Sequence, residues 1–481
     1  MRRELIVLLP LSLALVAEAR LEEAPQAEKS RCITWERLQE LDPGLLCLGE
    51  LATRTSHEIK DSSWGVGCET MDRDYATFGN FKAFVAETGA KHARLQSGWD
   101  KTERVKGQYD FAWLDEHVHG LIACGVKPWM CICYGSRHYG LTAEMGWPVA
   151  KITEVPETFA AWTRYVRALV TRYRDVIDEW EVWNEPFGKQ ADVYSKLVIA
   201  TADVVHEVQP AAKVYVSAPG AFENYEAILE NLKKAGKLEC VTAWIYHPYV
   251  KNPDANDPWW GFDTVARLQE LLKRYNPDYT VVQGEVGCPA QLEYSHALNN
   301  HPWSEYSQAK WNLRRMAGEH VRGIPYGVFS MVDFEYKKFM LQSFGLLRMD
   351  LAQEVVYRRP TFYACRNMMS FFDSEVAAVG LVDTSSRRTT AAKFRKNGTD
   401  VLLVWRSDAI PGDALEFERD DLAVRDVVFK DPVWVELITG KVYALDPASV
   451  GNRDDVTFFR GLRLWDSPVM IAERIEVPLR R

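Results

Sequence analysis

Apolar and β-branched runs recur along the middle of this chain, and each is followed by a segment with apolar positions three and four residues apart. The runs cover Trp64 to Cys68, His92 to Gln96, Val126 to Cys133, Val176 to Trp183, Lys213 to Ser217, Val241 to Tyr246, Tyr279 to Gln283 and Tyr326 to Val332. Runs with so little polar alternation read as strands covered on both faces. The clearest intervening pattern is Glu157 to Arg174, where Phe159, Trp162, Val166, Leu169 and Tyr173 fall on one helical face. Eight strand and helix units in alternation predict an α/β fold in which parallel strands close into a (β/α)8 barrel rather than an open sheet. A last helical pattern near Pro360 to Phe372 ends this region.

Beyond residue 373 the period changes. Val401 to Trp405, Val433 to Leu437, Val442 to Leu445 and Val469 to Ile471 are short strand-like runs between Gly, Pro and Asp turns, and they predict a C-terminal antiparallel β-sandwich domain over 374–481. Such a domain is expected to pack on the barrel rather than to bind carbohydrate. Its Asn397-Gly398-Thr399 is a glycosylation sequon. Residues 20–60 are charged and weakly periodic, and are expected to pack on the outside or bottom of a barrel spanning 61–373. At the start, Arg2 and Arg3 precede an apolar run, Leu5 to Ala17, and the small-x-small triplet Ala17-Glu18-Ala19. This reads as a secretory signal peptide over 1–19, because the run is shorter than the roughly 20 apolar residues that cross a bilayer. The mature protein is therefore expected to be secreted, extracellular or periplasmic, without membrane insertion.

The length of 481 residues exceeds the roughly 250 that one barrel needs, which leaves room for the second domain. A net charge of −9 argues against nucleic acid and anionic membranes as partners and is compatible with a neutral oligo- or polysaccharide. Nine cysteines, an odd number, leave at least one thiol free or paired between chains in a secreted protein. Cys131 and Cys133, within the apolar Trp129 to Tyr134, read as small buried thiols, while Cys32 and Cys47 form a conceivable disulfide. No CxxC or HExxH spacing occurs, so neither a metal nor an organic cofactor is expected.

The strongest chemical signal is Val176 to Pro186, VIDEWEVWNEP, which delivers Glu185 to the C-terminal end of a strand. Pro186 cannot continue a sheet ladder and pushes the residue before it towards extended dihedrals. A second such end is Tyr279 to Val286, YTVVQGEV, where Glu285 stands between Gly284 and Gly287. Two carboxyls are what glycosidic cleavage requires, one protonated for the leaving oxygen and one ionised to attack carbon or activate water.

From about Ser62 to Asp373 the chain resembles clan A of the glycoside hydrolases, retaining enzymes built on TIM barrels. The stretch from Trp183 through Tyr194 and Pro210 to Ser217-Ala218-Pro219 is similar to family 39, which holds β-xylosidases and iduronidases, while His247-Pro248-Tyr249 resembles the His-x-Tyr ending the sixth strand of family 5. The resemblance implies that Glu185, after Asn184 on the fourth strand, is the acid/base, and that Glu285 on the seventh is the nucleophile. Together with the signal peptide it implies a secreted retaining glycoside hydrolase acting on β-type O-glycosidic bonds, with a transglycosylase and a non-catalytic carbohydrate-binding barrel as alternatives.

Two roles are open to Arg94 at the end of the second strand. It either holds the nucleophile ionised or forms a structural ion pair with Glu181, and clan members often carry an arginine at this place. Glu181, four residues before Glu185, reads as a buried ion-pair partner rather than as the acid. Asn184 is expected to donate to the sugar 2-hydroxyl, Tyr249 to orient Glu285, and His247 to contact substrate or acid.

The loops at this rim carry many aromatics: Trp99, Tyr134, Tyr139, Trp147, Phe187, Trp259, Trp260, Trp303, Phe334 and Tyr336. At least two are expected to stack on sugar rings, with Trp99 and Tyr134 counted among the substrate-binding residues. The long segments Asn252 to Phe262 and Pro289 to Trp303 are expected to close the cleft into a pocket, which leans towards exo action.

Overall fold

The computed structural model describes residues 35–480 except 143–148, 187, 189, 256, 258, 259, 338 and 339. The expected signal peptide, Cys32, Trp147, Phe187 and Trp259 lie outside the described residues. Strands β1 (Trp64–Gly67), β2 (His92–Gln96), β3 (Lys127–Ile132), β4 (Glu179–Val182), β5 (Lys213–Val216), β6 (Ala243–Tyr246), β7 (Thr280–Val286) and β8 (Tyr326–Val328) close into a parallel barrel. The ring shuts where Trp64 of β1 pairs with Tyr326 of β8. Each strand overlaps its apolar run, most being trimmed at one or both ends. Val176 and Ile177, for example, donate to the carbonyl of Tyr173 in the turn that leads into β4.

The helix Pro156–Tyr173 shows why the pattern folds as it does. Pro156 sits in its first turn, where a missing N–H costs nothing, and Trp162, Val166, Leu169 and Tyr173 are buried on one face. Full burial of each such side chain contributes about 1.5–3 kcal/mol. The helix Glu305–His320 is buried all round, with a capping box from Ser304 and Ser307. It is buried because the second domain covers it: Lys310 pairs with Asp466, and Arg314 donates to the carbonyls of Ser407 and Ala409.

That domain contains an eight-stranded antiparallel sheet and a three-stranded sheet. The larger sheet runs Val376–Leu381, Thr389–Lys396, Thr399–Arg406, Val469–Glu473, Pro432–Glu436, Lys441–Ala444, Leu46–Leu51 and Leu479–Arg480 in order across it. Within the N-terminal extension Arg54 pairs with Asp373 and Ser56 bonds Ala86 and Lys91 of the barrel, but the expectation is corrected for the strand before them. Residues 46–51 do not lie on the barrel but form a strand of the C-terminal sheet, with Leu46 opposite Ala444 and Leu51 opposite Leu479. Nothing local in the sequence signals a partner some 400 residues away, so the strand read as an unpatterned tail. Cys131 and Cys133 are buried free thiols, and Cys47 is a free, exposed thiol among the described residues.

Candidate active site

The carboxyl ends of β2, β4, β6 and β7 converge on one cluster of side chains. After β4 the backbone leaves extended geometry at Trp183, with φ 65°, and again at Glu185, with φ 48°. The proline therefore does not hold Glu185 extended as expected. Left-handed residues of this kind cost about 1–3 kcal/mol each and persist where neighbours fix them. Here the Trp183 amide donates to the Ile132 carbonyl, the Trp183 carbonyl accepts from the Cys131 thiol, and the Glu185 amide donates to the Ser217 hydroxyl. The turn aims Glu185 across the barrel towards β6 and β7.

One ligand atom from each of Glu185, His247 and Glu285 lies within 4.8 Å of the other two. Among the described residues these are the three side chains spaced to hold a cation, yet each carboxylate already has donors. Nδ1 of His247 meets Oε1 of Glu185 at 2.8 Å. The Tyr249 hydroxyl donates to Oε1 of Glu285 at 2.7 Å, and Nη1 of Arg94 donates to its Oε2 at 2.9 Å. The two glutamate side chains are 10% and 12% exposed, enough to meet a ligand while shielded from bulk water.

Arg94 touches both of the carboxylates weighed for it, Glu181 and Glu285. Its Nε and Nη2 form a fork on the carboxylate of Glu181 at 2.7 and 2.9 Å, while Nη1 reaches Glu285 and, at 3.2 Å, Oε1 of Glu69. Glu181 is fully buried and also accepts from the Ser217 hydroxyl, which makes it a structural ion-pair partner, not an acid. Nη2 of Arg94 donates to Oδ1 of Asn184, whose Nδ2 donates to the Tyr134 hydroxyl.

Burial pushes the carboxyl of Glu185 up from its ordinary value, opposed by the hydrogen bond and charge of His247. Burial also pushes at Glu285, but the charges of His247 and Arg94 and the Tyr249 hydroxyl outweigh it and hold that carboxyl low. His247 is raised, because the two glutamates overcome the cost of burying its charge. Two carboxyls driven apart in this way can serve as a proton donor and an ionised partner.

Trp99 corrects the sequence reading. It is fully buried, donates its indole N–H to Glu103 at 2.5 Å and is stacked between Tyr139 and Tyr165. The segment after β2 turns inward as a short helix, Trp99–Thr102, and carries the ring into the wall behind the site. Tyr134, also buried, spends its hydroxyl on Asn184 and Gln96 and so positions the amide rather than offering a platform. Trp260 packs on Tyr225 and Tyr246, and the indole of Trp303 donates to the Leu298 carbonyl. Tyr336 stays half-buried against His296 and Tyr75.

The sequence reading missed Glu69, Arg73, Gln96 and Ser217. Arg73 lies over the Tyr134 ring and donates to Gln96 at 2.6 Å, and its charge helps to hold Glu285 low. Glu69 comes two residues after β1, and its place beyond a barrel strand's carboxyl end was the available signal.

The chain matches no protein-family model and no curated protein sequence. Solved structures do match. A family 39 glycoside hydrolase from the gut symbiont Bacteroides cellulosilyticus WH2 is similar at TM-score 0.64 and 15% identity, over 86% of this chain and 81% of that one. The chain shares the fold of that enzyme, a closed parallel (β/α)8 barrel beside an antiparallel β domain. A monomeric β-xylosidase from Caulobacter crescentus CB15 is similar at TM-score 0.56 and 16% identity, over 90% of this chain and 99% of that one. A family 51 α-L-arabinofuranosidase from Bifidobacterium longum follows at TM-score 0.51 and 12% identity, over 90% and 98%. At such identities the likeness carries the backbone architecture alone.

Proposed function

We propose that the protein is a retaining glycoside hydrolase acting on β-type O-glycosidic bonds. The observation that carries this reading is the convergence of Glu185, His247 and Glu285 within 4.8 Å. Direct attack by a carboxylate calls for carboxyl groups about 5–5.5 Å apart, whereas an intervening water in an inverting enzyme needs about 6.5–9.5 Å.

In this mechanism Glu185, kept protonated by burial, delivers its proton to the leaving oxygen. Glu285, held ionised by Arg94, His247 and Tyr249, attacks the anomeric carbon, and the bond to the departing group breaks with its electron pair on the protonated oxygen. Glu185, now a carboxylate beside His247, takes a proton from water, which displaces Glu285 from the sugar. Asn184, fixed by Arg94 and Tyr134, is assigned to the sugar 2-hydroxyl, a contact that strengthens as the ring flattens.

The N-terminal run supports export, with cleavage after Ala19; a mature chain starting elsewhere than Arg20 would overturn that part.

The test is a panel of aryl β-xylosides, glucosides, galactosides and arabinosides with matching oligosaccharides, given to the wild type, Glu285→Ala and Glu185→Ala. Turnover is expected to collapse in Glu285→Ala, and Glu185→Ala is expected to recover with azide on an activated aryl substrate. Binding without cleavage across the panel would favour a sugar-binding barrel instead, and a product of inverted configuration would overturn the two-step route.

A further inference from the structure

Arg94 is one cation facing three carboxyls. Glu181 occupies Nε and Nη2, and the remaining nitrogen, Nη1, is shared between Oε2 of Glu285 at 2.9 Å and Oε1 of Glu69 at 3.2 Å. The side chains of Arg94 and Glu69 are each 1% exposed and that of Glu181 is fully buried, so water offsets little of the charge. Three ionised carboxylates would exceed the charge of the one guanidinium they share by two, and the further positive charge nearby, from His247 and Arg73, acts on Glu285; crowded carboxylates answer such an excess by keeping a proton on one of them.

The partners single out which one. Glu181 has the Ser217 hydroxyl as a further donor and Glu285 has the Tyr249 hydroxyl. Oε2 of Glu69 is buried and meets no donor, and the carboxyl's support besides Arg94 is its own backbone amide. A charged oxygen without a donor is far costlier to bury than a neutral hydroxyl. Oε1 can accept from Arg94 while Oε2 carries a proton. The charged and titratable groups facing Glu69 are Arg94 from β2, with Glu181 across the guanidinium, Glu285 from β7, Tyr249 beyond β6, and Cys68 beside it in the chain. Of these, Arg94 alone brings positive charge. Burial pushes the Glu69 carboxyl up to about 7.

The fold makes room for this residue. An ideal Cβ on Gly67 would lie 2.6 Å from Oε2 of Glu69, so the carboxyl occupies space that any side chain at position 67 would take. Gly67 is also the residue of β1 paired in register with Arg94.

We propose that Glu69 is a positioning residue of the catalytic site: it keeps its proton while the enzyme turns over, and losing that proton draws Arg94 from Glu285 and closes the alkaline side of kcat where breakdown of the glycosyl-enzyme limits turnover. The inference rests on the glycosidase reading above. When the glycosyl-enzyme breaks down, the C–O electron pair returns to Glu285, whose negative charge must then re-form beside Arg94. An ionised Glu69 competes for the same nitrogen and adds a like charge at that place.

The test is kcat against pH from 5 to 9 for the wild type and Glu69→Gln, on a substrate whose deglycosylation limits turnover, with Glu285→Ala alongside. The ratio of Glu69→Gln to wild-type kcat is expected to rise about tenfold between pH 6 and pH 8, as one titration near 7 demands. A ratio flat across that range, with Glu285→Ala inactive, overturns the role of Glu69. Turnover by Glu285→Ala equal to wild type overturns the glycosidase reading instead.

Thermal unfolding tests the same proton without turnover. A carboxyl that titrates higher folded than unfolded, where the value is about 4.3, makes the folded state hold the extra proton, so stability falls as pH rises from there to about 7 and is level above. Wild-type Tm is expected to fall relative to Glu69→Gln across that interval, and a constant difference overturns the proposal. Should Glu69→Gln not fold, Gly67→Ala, which crowds the carboxyl away from Arg94, is expected to remove the same transition, and its persistence there counts against the proposal.

Discussion

Nδ1 of His247 lies 2.8 Å from Oε1 of Glu185, close enough for the pair to hold one proton between them. The histidine comes from the loop after β6 and the glutamate from the left-handed turn after β4, so the contact spans two strand ends. It opposes the effect of burial on Glu185 while lending positive charge to Glu285.

This arrangement predicts how activity shifts when the imidazole is removed. The acid limb of kcat/KM reports ionisation of Glu285 and the alkaline limb deprotonation of Glu185. In His247→Asn both carboxyls lose a group that lowers them, so both limbs are expected to move to higher pH. The maximum should fall about tenfold or more as the acid loses its orientation. A pH profile that drops in height without moving would show that His247 acts on neither carboxyl.

Tyr249→Phe removes one donor from Glu285 and leaves Arg94 in place. Loss of a hydrogen bond to a charged acceptor is worth about 1.5–3 kcal/mol, so kcat/KM is expected to fall roughly tenfold to a hundredfold. The acid limb should rise while the alkaline limb stays. Steady-state kinetics across pH with an aryl glycoside checks both.

Glu181→Gln breaks the fork that holds Arg94. A buried charge stripped of its partner costs about 3–5 kcal/mol, and urea denaturation is expected to show a midpoint lowered accordingly with little change in slope. An unchanged midpoint would mean that Glu69 and Glu285 can hold the guanidinium alone.

The strand Leu46–Leu51 sits between Lys441–Ala444 and Leu479–Arg480. A chain starting at Leu46 keeps this pairing, whereas one starting at Ala52 exposes the edge of Lys441–Ala444 and strands Leu479–Arg480. The shorter chain is expected to unfold at lower temperature and to aggregate, since open edges pair with other chains. Light scattering during a thermal ramp compares the two.

The strand and helix order, the change of period near residue 373 and both glutamates were legible from sequence, because each rests on a local signal. Apolar runs mark the barrel strands, three- and four-residue spacing marks Pro156–Tyr173, and Trp183-Asn184-Glu185-Pro186 marks a strand end. The tertiary structure decided what depends on distant groups. Trp99 turned from platform into wall because the chain after β2 folds inward. Glu185 took φ 48° against the preference before proline because Ser217 and the packing of Trp183 fix that turn. Glu69, unremarkable in the chain, became part of the site when barrel closure placed β1 beside β2 and within reach of β7. The pairing of residues 46–51 with the C-terminal sheet followed from contacts some 400 residues apart. A sequence read alone carries propensity, period and chemical type, which are properties of neighbours in the chain. Burial, charge balance and the sharing of one guanidinium among three carboxyls arise only once the barrel has closed and excluded water.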